Sequence, residues 1–278
     1  MSQAYTSVKT IYGAALEASR RPGNSFTPLQ HSTLNEHFNI EFGTSYPADA
    51  QPEVQYLAIG RGGHRNVPGG SGESLTDNLQ HQIVNACLFD HLPFLLVPVG
   101  SDISSSERDK YRLRRVENHG GSDYIAYYLK KIDQAVSTPV IKELTITDGN
   151  ITEDVYTPTT TQLQPTPVSM TNGIVNTATG KHIAIDTPFP VVLSSDDVSK
   201  ILDAVNIIYS DARYAVISEI GIVSAIDANV TAASDGVNYV EALAAQIYNH
   251  IGTNIPLAQQ QQGVTMNFTI GTSMPWVQ

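Results

Sequence analysis

The sequence predicts an α+β protein that is richer in strand than in helix, with a mixed sheet, a sandwich or a barrel and three or four helices. Apolar segments with alternating or continuous patterning recur between turn residues, which predicts roughly eight strands. Apolar residues spaced three and four apart predict the few helices. The sequence has no internal repeat of fixed period, which argues against a solenoid.

The first hundred residues combine predicted helices with short apolar strands. The spacing of apolar residues predicts the helices, and six glycines between residues 60 and 74 predict a loop. Pro98 places the strand at 94–99 at a sheet edge. The expected elements are a helix over 6–20, a strand at 38–42, a buried strand at 54–59, a flexible loop over 60–74, a helix over 76–89 and an edge strand at 94–99.

Two hairpins are predicted in the middle of the chain. Ser104 and Glu107 fit a capping box for one helical turn, and period-two patterning begins at Tyr111. Turn residues at 118–121 join this strand to a second one at 124–132, which makes the clearest hairpin of the chain. A second hairpin pairs 140–146 with 151–156 across Asp148-Gly149-Asn150.

The last third is predicted to combine helices, strands and extended loops. The expected elements are an extended loop or linker at 157–168, a turn at 172–173, and strands at 182–185, 213–225 and 264–270. Helices are expected at 195–206 and from Ser234-Asp235 to Ile251. We expect one structural domain over 1–278 with long loops, or a division into 1–156 and 169–278 joined by 157–168.

Composition and charge restrict the function. Only 15% of residues are charged, a low share that suits lasting interfaces as well as an ordinary neutral surface. The net charge is −11: residues 1–140 carry 12 basic against 14 acidic residues, and 141–278 carry 4 against 13. This balance argues against wrapping nucleic acid, but not against a wall past which DNA slides without binding.

Searches for catalytic and binding motifs give little. The glycine-rich loop lacks the Gly-Lys-Ser/Thr of a phosphate loop, and no Gly-x-Ser-x-Gly is present. His81, Cys87 and His91 are candidates to meet a metal, but their spacing matches no zinc template. Cys87 lies in an apolar run and is expected to be a small core residue. We therefore predict no cofactor, no metal and no enzymatic activity. With no signal peptide and no apolar run of membrane length, we expect folding in the cytoplasm and no membrane contact.

A basic hairpin is the one charge feature that stands out. Seven of the 16 basic residues fall between Arg108 and Lys131. They form either a solvated strand face with local ion pairs or a surface that docks on an acidic patch, such as the acidic half of an adjacent copy. Trp276, the sole tryptophan, either packs in its own core or anchors in a partner's pocket. The candidate subunit-interface residues are Arg108, Arg112, Arg114, Arg115 and Trp276.

Four segments together resemble a group of virion structural proteins of contractile-tailed bacteriophages. The segments are YLAIGRGGH, HLPFLLVPV, SERDKYRLRRV with SDYIAYYLKKID, and RYAVISEIGIVSA. The resemblance implies a non-enzymatic neck or collar protein that forms a six- or twelve-fold ring around the DNA channel, contacts portal, neck or tail proteins, and resides in the virion. It transfers no residue motif position by position.

Two other classes of function stay open from the sequence. The first is another virion role, in tail completion, the baseplate or head decoration. The second is a soluble enzyme or small-molecule binder, which needs a deep pocket with convergent polar groups. The oligomeric state and the cavities of the folded chain distinguish these classes of function.

Overall fold

The structure is a computed structural model, and it confirms the strand-rich α+β class. It describes residues 6–20, 26–40, 50–68, 74–132, 138–164, 180–231, 236–260 and 262–276. Within these ranges there are four α-helices and several antiparallel sheets, and no sheet closes into a barrel. None of the helices in these ranges is long and apolar enough to cross a membrane.

The chain forms two compact units, each built from two separate segments. The large unit contains Met1–Ile132 and Leu193–Val264, and the small unit contains Asp133–Val192 and Thr265–Gln278. Residues 157–164, which were expected to begin a linker between two halves, lie inside the small unit. The chain therefore crosses between the units near residues 132, 192 and 264.

The elements follow in chain order. In the large unit they are β1 (Thr6–Lys9), α1 (Ile11–Arg20), α2 (Leu34–His37), β2 (Glu53–Gly60), β3 (His64–Pro68), β4 (Ser74–Asn78), β5 (His91–Leu92), β6 (Leu95–Pro98), α3 (Ser105–Arg108), β7 (Tyr111–His119) and β8 (Ser122–Lys131). The chain then forms β9 (Val140–Thr147), β10 (Asn150–Val155) and β11 (Gly180–Leu193) of the small unit. It returns to the large unit for α4 (Ser195–Tyr209), β12 (Val216–Thr231) and β13 (Asn238–Pro256). The last strand, β14 (Val264–Trp276), belongs to the small unit.

The sheet of the large unit is built around the long antiparallel pair β12 and β13. Its order is β1-β13-β12-β2-β8-β6, with β5 beside β2 and β7 beside β8. Helix α1 packs so closely on β13 that a Cβ on Gly13 would lie 2.5 Å from the carbonyl oxygen of Tyr248. The core lies between this sheet and the helices, and it includes Tyr56, Leu113, Leu129, Val223 and Ile247.

The predicted helix from 235 to 251 is wrong, because this segment is the strand β13. It pairs with β12 from Asn238 to Pro256 and with β1 at its far end. Residues 241–248 of β13 are all buried, so both faces of the strand are enclosed there and the alternation that marks a half-exposed strand is absent. A run of this kind cannot be assigned by periodicity alone.

The predicted helix from 76 to 89 is also wrong. Residues 74–78 form β4, and the chain from 79 to 90 runs in turns without a helix. The backbone amides of Phe89 and Asp90 donate to the buried carboxylate of Glu219, and the amide of Leu88 donates to His91. Side-chain acceptors, of which Glu219 is distant in sequence, thus replace the intrahelical carbonyls that these amides would need in a helix.

Three other sequence predictions are corrected near the amino terminus. The expected flexible loop contains a hairpin, because β3 pairs with β4 from His64 to Asn78; the connection at 69–73 lies outside the described residues. The expected strand at 38–42 is not formed at 38–40, where Phe38 caps the end of α2. The expected helix over 6–20 begins only at Ile11, since Thr6–Lys9 form a strand that pairs with β13.

The locally encoded elements are confirmed. The hairpin β7–β8, the hairpin β9–β10, the strand β2 and the edge strand β6 all form. The strand predicted at 213–225 begins only at Val216, after a 3-10 turn at Ala212–Tyr214, and continues to Thr231 as β12. Ser194 caps α4 and forms a reciprocal capping box with Asp197, while Ser104 caps the single turn α3. The predicted strands at 182–185 and 264–270 are the cores of the longer β11 and β14, and the turn at 172–173 lies outside the described residues.

The small unit is a four-stranded sheet in the order β10-β9-β11-β14. The β9–β10 turn is built from Asp148 and Gly149, whose φ angles are 50° and 78°. Two consecutive left-handed residues are typical of the tight turn that matches the twist of a hairpin. All six residues of β10 are exposed and no residue of β9 is fully buried.

Candidate functional site

The basic hairpin pairs its charges inside its own chain. Each of its seven basic side chains lies within 4 Å of a carboxylate of the large unit. The carboxylates are those of Asp102, Glu107, Glu117, Asp197 and Asp227. The hairpin is therefore part of an internal ionic network.

Arg112 and Arg114 are buried, which corrects their expected role as a docking surface. Their side chains are 3% and 2% exposed. Arg112 reaches Asp227 with Nη2–Oδ2 at 3.2 Å, and Arg114 reaches Asp102 at 3.1 Å. A side chain that is already enclosed and paired cannot meet another subunit without opening the fold.

Arg108 and Arg115, the other predicted arginines, are held by the same kind of contact. Arg108 shares Asp102 with Arg114 and donates to the carbonyl oxygen of Ile103 at 2.8 Å. Arg115 pairs with Glu117 at 3.0 Å and lies over the ring of Phe38. Arg115 is the most exposed of the four, at 35% of its side chain.

Trp276, the fifth predicted site residue, is the last residue of β14. Its side chain lies outside what the structure describes, so its role as an anchor stays a prediction.

Part of the network joins the basic hairpin to the acidic half of the same chain. Asp227 accepts from Arg112, Lys131 and the hydroxyl of Tyr56, while Asp197 pairs with Lys130. Burial raises the pKa of Asp227, but the hydrogen bonds from Arg112 and Tyr56 outweigh burial and hold it below its usual value. Two carboxylates of the acidic half thus already pair with the hairpin within one molecule.

Glu241 of β13 is the most enclosed carboxylate of this region. It accepts the backbone amides of Leu113, Arg114 and Ala242. Leu113 has a φ of 53°, which turns two successive amides toward one carboxylate, as in an anion-binding nest. Burial raises the pKa of Glu241 to about 7, against the lowering effect of the three amides.

Glu219 of β12 forms a second enclosed cluster. Its two oxygens accept the amides of Gly62, Phe89 and Asp90, and His81 lies 2.7 Å away through Nε2. The ring of His81 is stacked between those of Phe89 and His250, with both centroid distances at 3.9 Å. This cluster ties the 79–92 segment to the central strands, so its residue types have a structural reason.

A cavity of about 390 Å³ opens beside the start of β12 in the large unit. It is lined by Arg61, His64, Arg65, Asn66, Arg213, Tyr214 and Val216. Arg61 lies over the rings of Tyr209 and Tyr214. Each arginine already has a carboxylate within 3 Å, namely Asp90, Asp77 and Asp211 respectively, so the lining is basic while its surroundings are neutral.

The three residues weighed as metal ligands are separated in part. Cys87 and His91 lie together with His37, and their donor atoms are all within 4.8 Å of one another. His81 belongs to the Glu219 cluster instead. The sequence analysis named Cys87 and His91 among its candidate ligands, but no sequence signal pointed to His37, which lies on α2. Cys87 is half-buried and packs against the core, as expected.

The fold and these clusters define a two-unit antiparallel α+β protein with an internally neutralised basic hairpin. The chain belongs to the family of unknown function DUF7208, whose sequence profile matches residues 1–278. No curated protein and no solved structure matches it.

Proposed function

We propose that this chain is a non-enzymatic structural subunit of a tailed-phage virion that assembles with copies of itself, in the neck or collar ring around the DNA channel. The setting rests on the sequence resemblance given above. The capacity to assemble rests on the small unit, where the β9–β10 hairpin is uncovered. Its two strands have no fully buried residue in the single chain.

A sheet is stable when at least one of its faces is covered. On β10 the side chains of Ile151 and Val155 point to the same face and are 59% and 76% exposed. Ile146, which is directly paired with Ile151, lies on that face as well. An edge strand with exposed branched apolar side chains favours pairing with another strand.

A second copy of the chain is the occupant that this sheet favours. Within the described residues β10 and β14 are the two outer strands of one sheet. The far end of β14, Gly271–Pro275, is exposed and has no charged residue to oppose pairing. Addition of β10 to β14 of a neighbour is a head-to-tail contact, which produces a ring when the rotation closes.

The test is the native mass of the purified chain across a concentration series, with negative-stain images of the same sample. We expect a discrete ring for the wild type. Ile151→Lys with Val155→Lys should shift the mass toward the monomer without unfolding the chain. Ile83→Lys is the matched control, because Ile83 is 57% exposed on the large unit.

Three outcomes contradict the proposal. A wild-type monomer at every concentration that also ignores portal and tail proteins removes the structural role. Equal disruption by the control variant removes the small unit as the assembly surface. A discrete oligomer without a central channel contradicts the neck or collar ring and favours the other virion roles, in the tail, baseplate or head decoration.

A small-anion binder is the second candidate function, and the basic cavity at Arg61 favours it. Planar guanidinium groups suit phosphate and carboxylate oxygens, and the volume is that of a small-ligand site. Saturable thermal stabilisation by pyrophosphate that is lost in Arg213→Gln would support this class. Arg115→Gln, outside the cavity, is the control. Equal stabilisation of both variants would exclude it.

A further inference from the structure

We propose that His37, Cys87 and His91 bind a divalent transition-metal ion of the zinc type, with three protein ligands and a water in the fourth position. Their donor atoms, two imidazole nitrogens and one thiol sulfur, lie within 4.8 Å of one another. This proposal is independent of the structural role proposed above.

The donor set determines the class of metal. Sulfur and imidazole nitrogen suit Zn²⁺ and its neighbours, whereas Mg²⁺ and Ca²⁺ prefer oxygen. Bond lengths of about 2.0–2.3 Å place neighbouring donors of a tetrahedral site about 3.3–3.7 Å apart. The observed limit of 4.8 Å therefore requires only a small rotation of side chains toward the ion.

Two segments hold the ligands in position before any ion arrives. Helix α2 is capped by Thr33 and ends in the ring of Phe38, which contacts the imidazoles of His37 and His91 at centroid distances of 4.7 and 5.0 Å. Phe38 is itself stacked on Tyr128 at 4.2 Å. The segment with Cys87 and His91 is fixed by the amide hydrogen bonds to Glu219.

Both imidazoles are available as neutral ligands. Burial and Arg115 hold the pKa of His37 below its usual value. Burial, together with His37, His250 and His81, lowers the pKa of His91 to about 3. Burial and the charge of Glu36 raise the pKa of Cys87 to about 11, so the metal-free chain holds a thiol. Binding of the ion therefore releases one proton from Cys87.

His91 has an unsatisfied nitrogen that a metal would satisfy. Its Nε2 accepts the amide of Leu88 at 3.1 Å, so its Nδ1 carries the proton. That Nδ1 is buried and has no hydrogen-bond partner among the described residues. Coordination through Nδ1 moves the proton to Nε2 and frees the Leu88 amide, which predicts a local rearrangement at Leu88 when the ion binds.

Glu36 is the carboxylate whose charge acts on Cys87, but it is already paired with His31. It is therefore engaged elsewhere, and a solvent molecule is the expected fourth ligand. Three protein ligands with one open position are also the arrangement of zinc sites that keep an exchangeable water.

Cobalt(II) titration of the reduced, metal-free full-length chain is the test. We expect one equivalent to produce a sulfur-to-cobalt charge-transfer band and the visible bands of a tetrahedral ion, and Zn²⁺ to remove both. Cys87→Ser should abolish the charge-transfer band. His37→Gln, an exposed position on α2, should weaken binding at least tenfold while circular dichroism is unchanged. His182→Gln in the small unit is the matched control.

Two results overturn the proposal. The first is the absence of both bands in the wild type together with no saturable Zn²⁺ binding by calorimetry. The second is a charge-transfer band that survives in Cys87→Ser or an affinity that His37→Gln leaves unchanged. If Cys87→Ser unfolds, His37→Gln alone decides, because His37 lies at the surface.

Discussion

The two units differ in how far their polar side chains are buried. The large unit buries arginines and glutamates and satisfies them with carboxylates and backbone amides of the same chain. The small unit leaves the polar and apolar side chains of β10 open to solvent, and its ion pairs, such as Lys142 with Glu153, are partly exposed. The buried arginines and glutamates of the large unit thus have partners within one chain, whereas the β9–β10 hairpin exposes apolar side chains that a neighbour would cover.

This difference separates stability from assembly. Removing one member of a buried ion pair leaves an uncompensated charge, which costs far more than losing an exposed pair. Substitutions in the large unit should therefore change the free energy of unfolding, and substitutions on β10 should change association.

The largest effect is expected from Asp102→Asn. This change leaves Arg108 and Arg114 without their shared carboxylate, with side chains that are 11% and 2% exposed. We expect a loss of about 3–5 kcal/mol in the free energy of unfolding. Urea unfolding followed by circular dichroism measures it.

Glu153→Gln in the small unit is the control for Asp102→Asn. It removes an exposed pair with Lys142 and should change the free energy of unfolding by less than about 0.5 kcal/mol. Equal losses in the two variants would show that burial does not distinguish the two networks.

Acid should weaken the large unit through His250. Burial lowers the pKa of His250 in the folded chain to about 4, and the unfolded value is about 6.5. A depressed histidine pKa means that its contribution is complete above about pH 6.5 and is lost as the pH falls through 4. The loss amounts to about 3 kcal/mol. His250 faces His81, which is paired with Glu219, and its Nε2 donates to the carbonyl oxygen of Asn85.

The comparison that isolates this effect is the pH dependence of unfolding in the wild type and in His250→Gln. Glutamine can still donate to Asn85 but does not titrate. Between pH 6.5 and 4 the wild type should lose stability more steeply than the variant. Parallel curves would mean that the pKa of His250 is nearly the same in the folded and the unfolded chain.

Glu241 changes the free energy of unfolding with pH in the opposite direction to His250. The wild type must therefore be compared with His250→Gln. The pKa of Glu241 in the folded chain is raised to about 7, so its contribution is complete below the unfolded value of about 4.3 and is lost as the pH rises through 7. The wild-type curve alone mixes the two groups, and the difference between wild type and His250→Gln removes Glu241.

The sequence predicted the elements whose signals are local. The hairpins β7–β8 and β9–β10 carry period-two patterning and turn residues, and α4 carries its own capping box. These features act within a few residues, so the structure that they favour does not depend on distant tertiary contacts. The segment 76–89 also had a helical pattern, but the amides of Phe89 and of the next residue, Asp90, donate to Glu219, which lies 130 and 129 residues away.

The candidate site was harder to predict from the sequence than the fold, because it is formed by contacts between residues far apart in the chain. The clustering of basic residues and the acidic second half were both visible in the sequence, and complementarity between them was expected. Their contact was expected between two copies, because the sequence does not reveal that Arg112 meets Asp227 across 115 positions. His37 joins Cys87 and His91 for the same reason, since only the packing of α2 brings it there.

The smallest effect tests the small unit alone. Gly149 has a φ of 78° and open space around its Cα, so Gly149→Ala adds backbone strain and no collision. We expect a loss of about 1 kcal/mol, confined to the β9–β10 hairpin. Gly149→Asn should lose less, because asparagine tolerates the left-handed region. Amide hydrogen exchange resolved by peptide should show faster exchange in β9 and β10 only. Faster exchange throughout the large unit would mean that the hairpin supports the whole fold rather than serving as a separate surface.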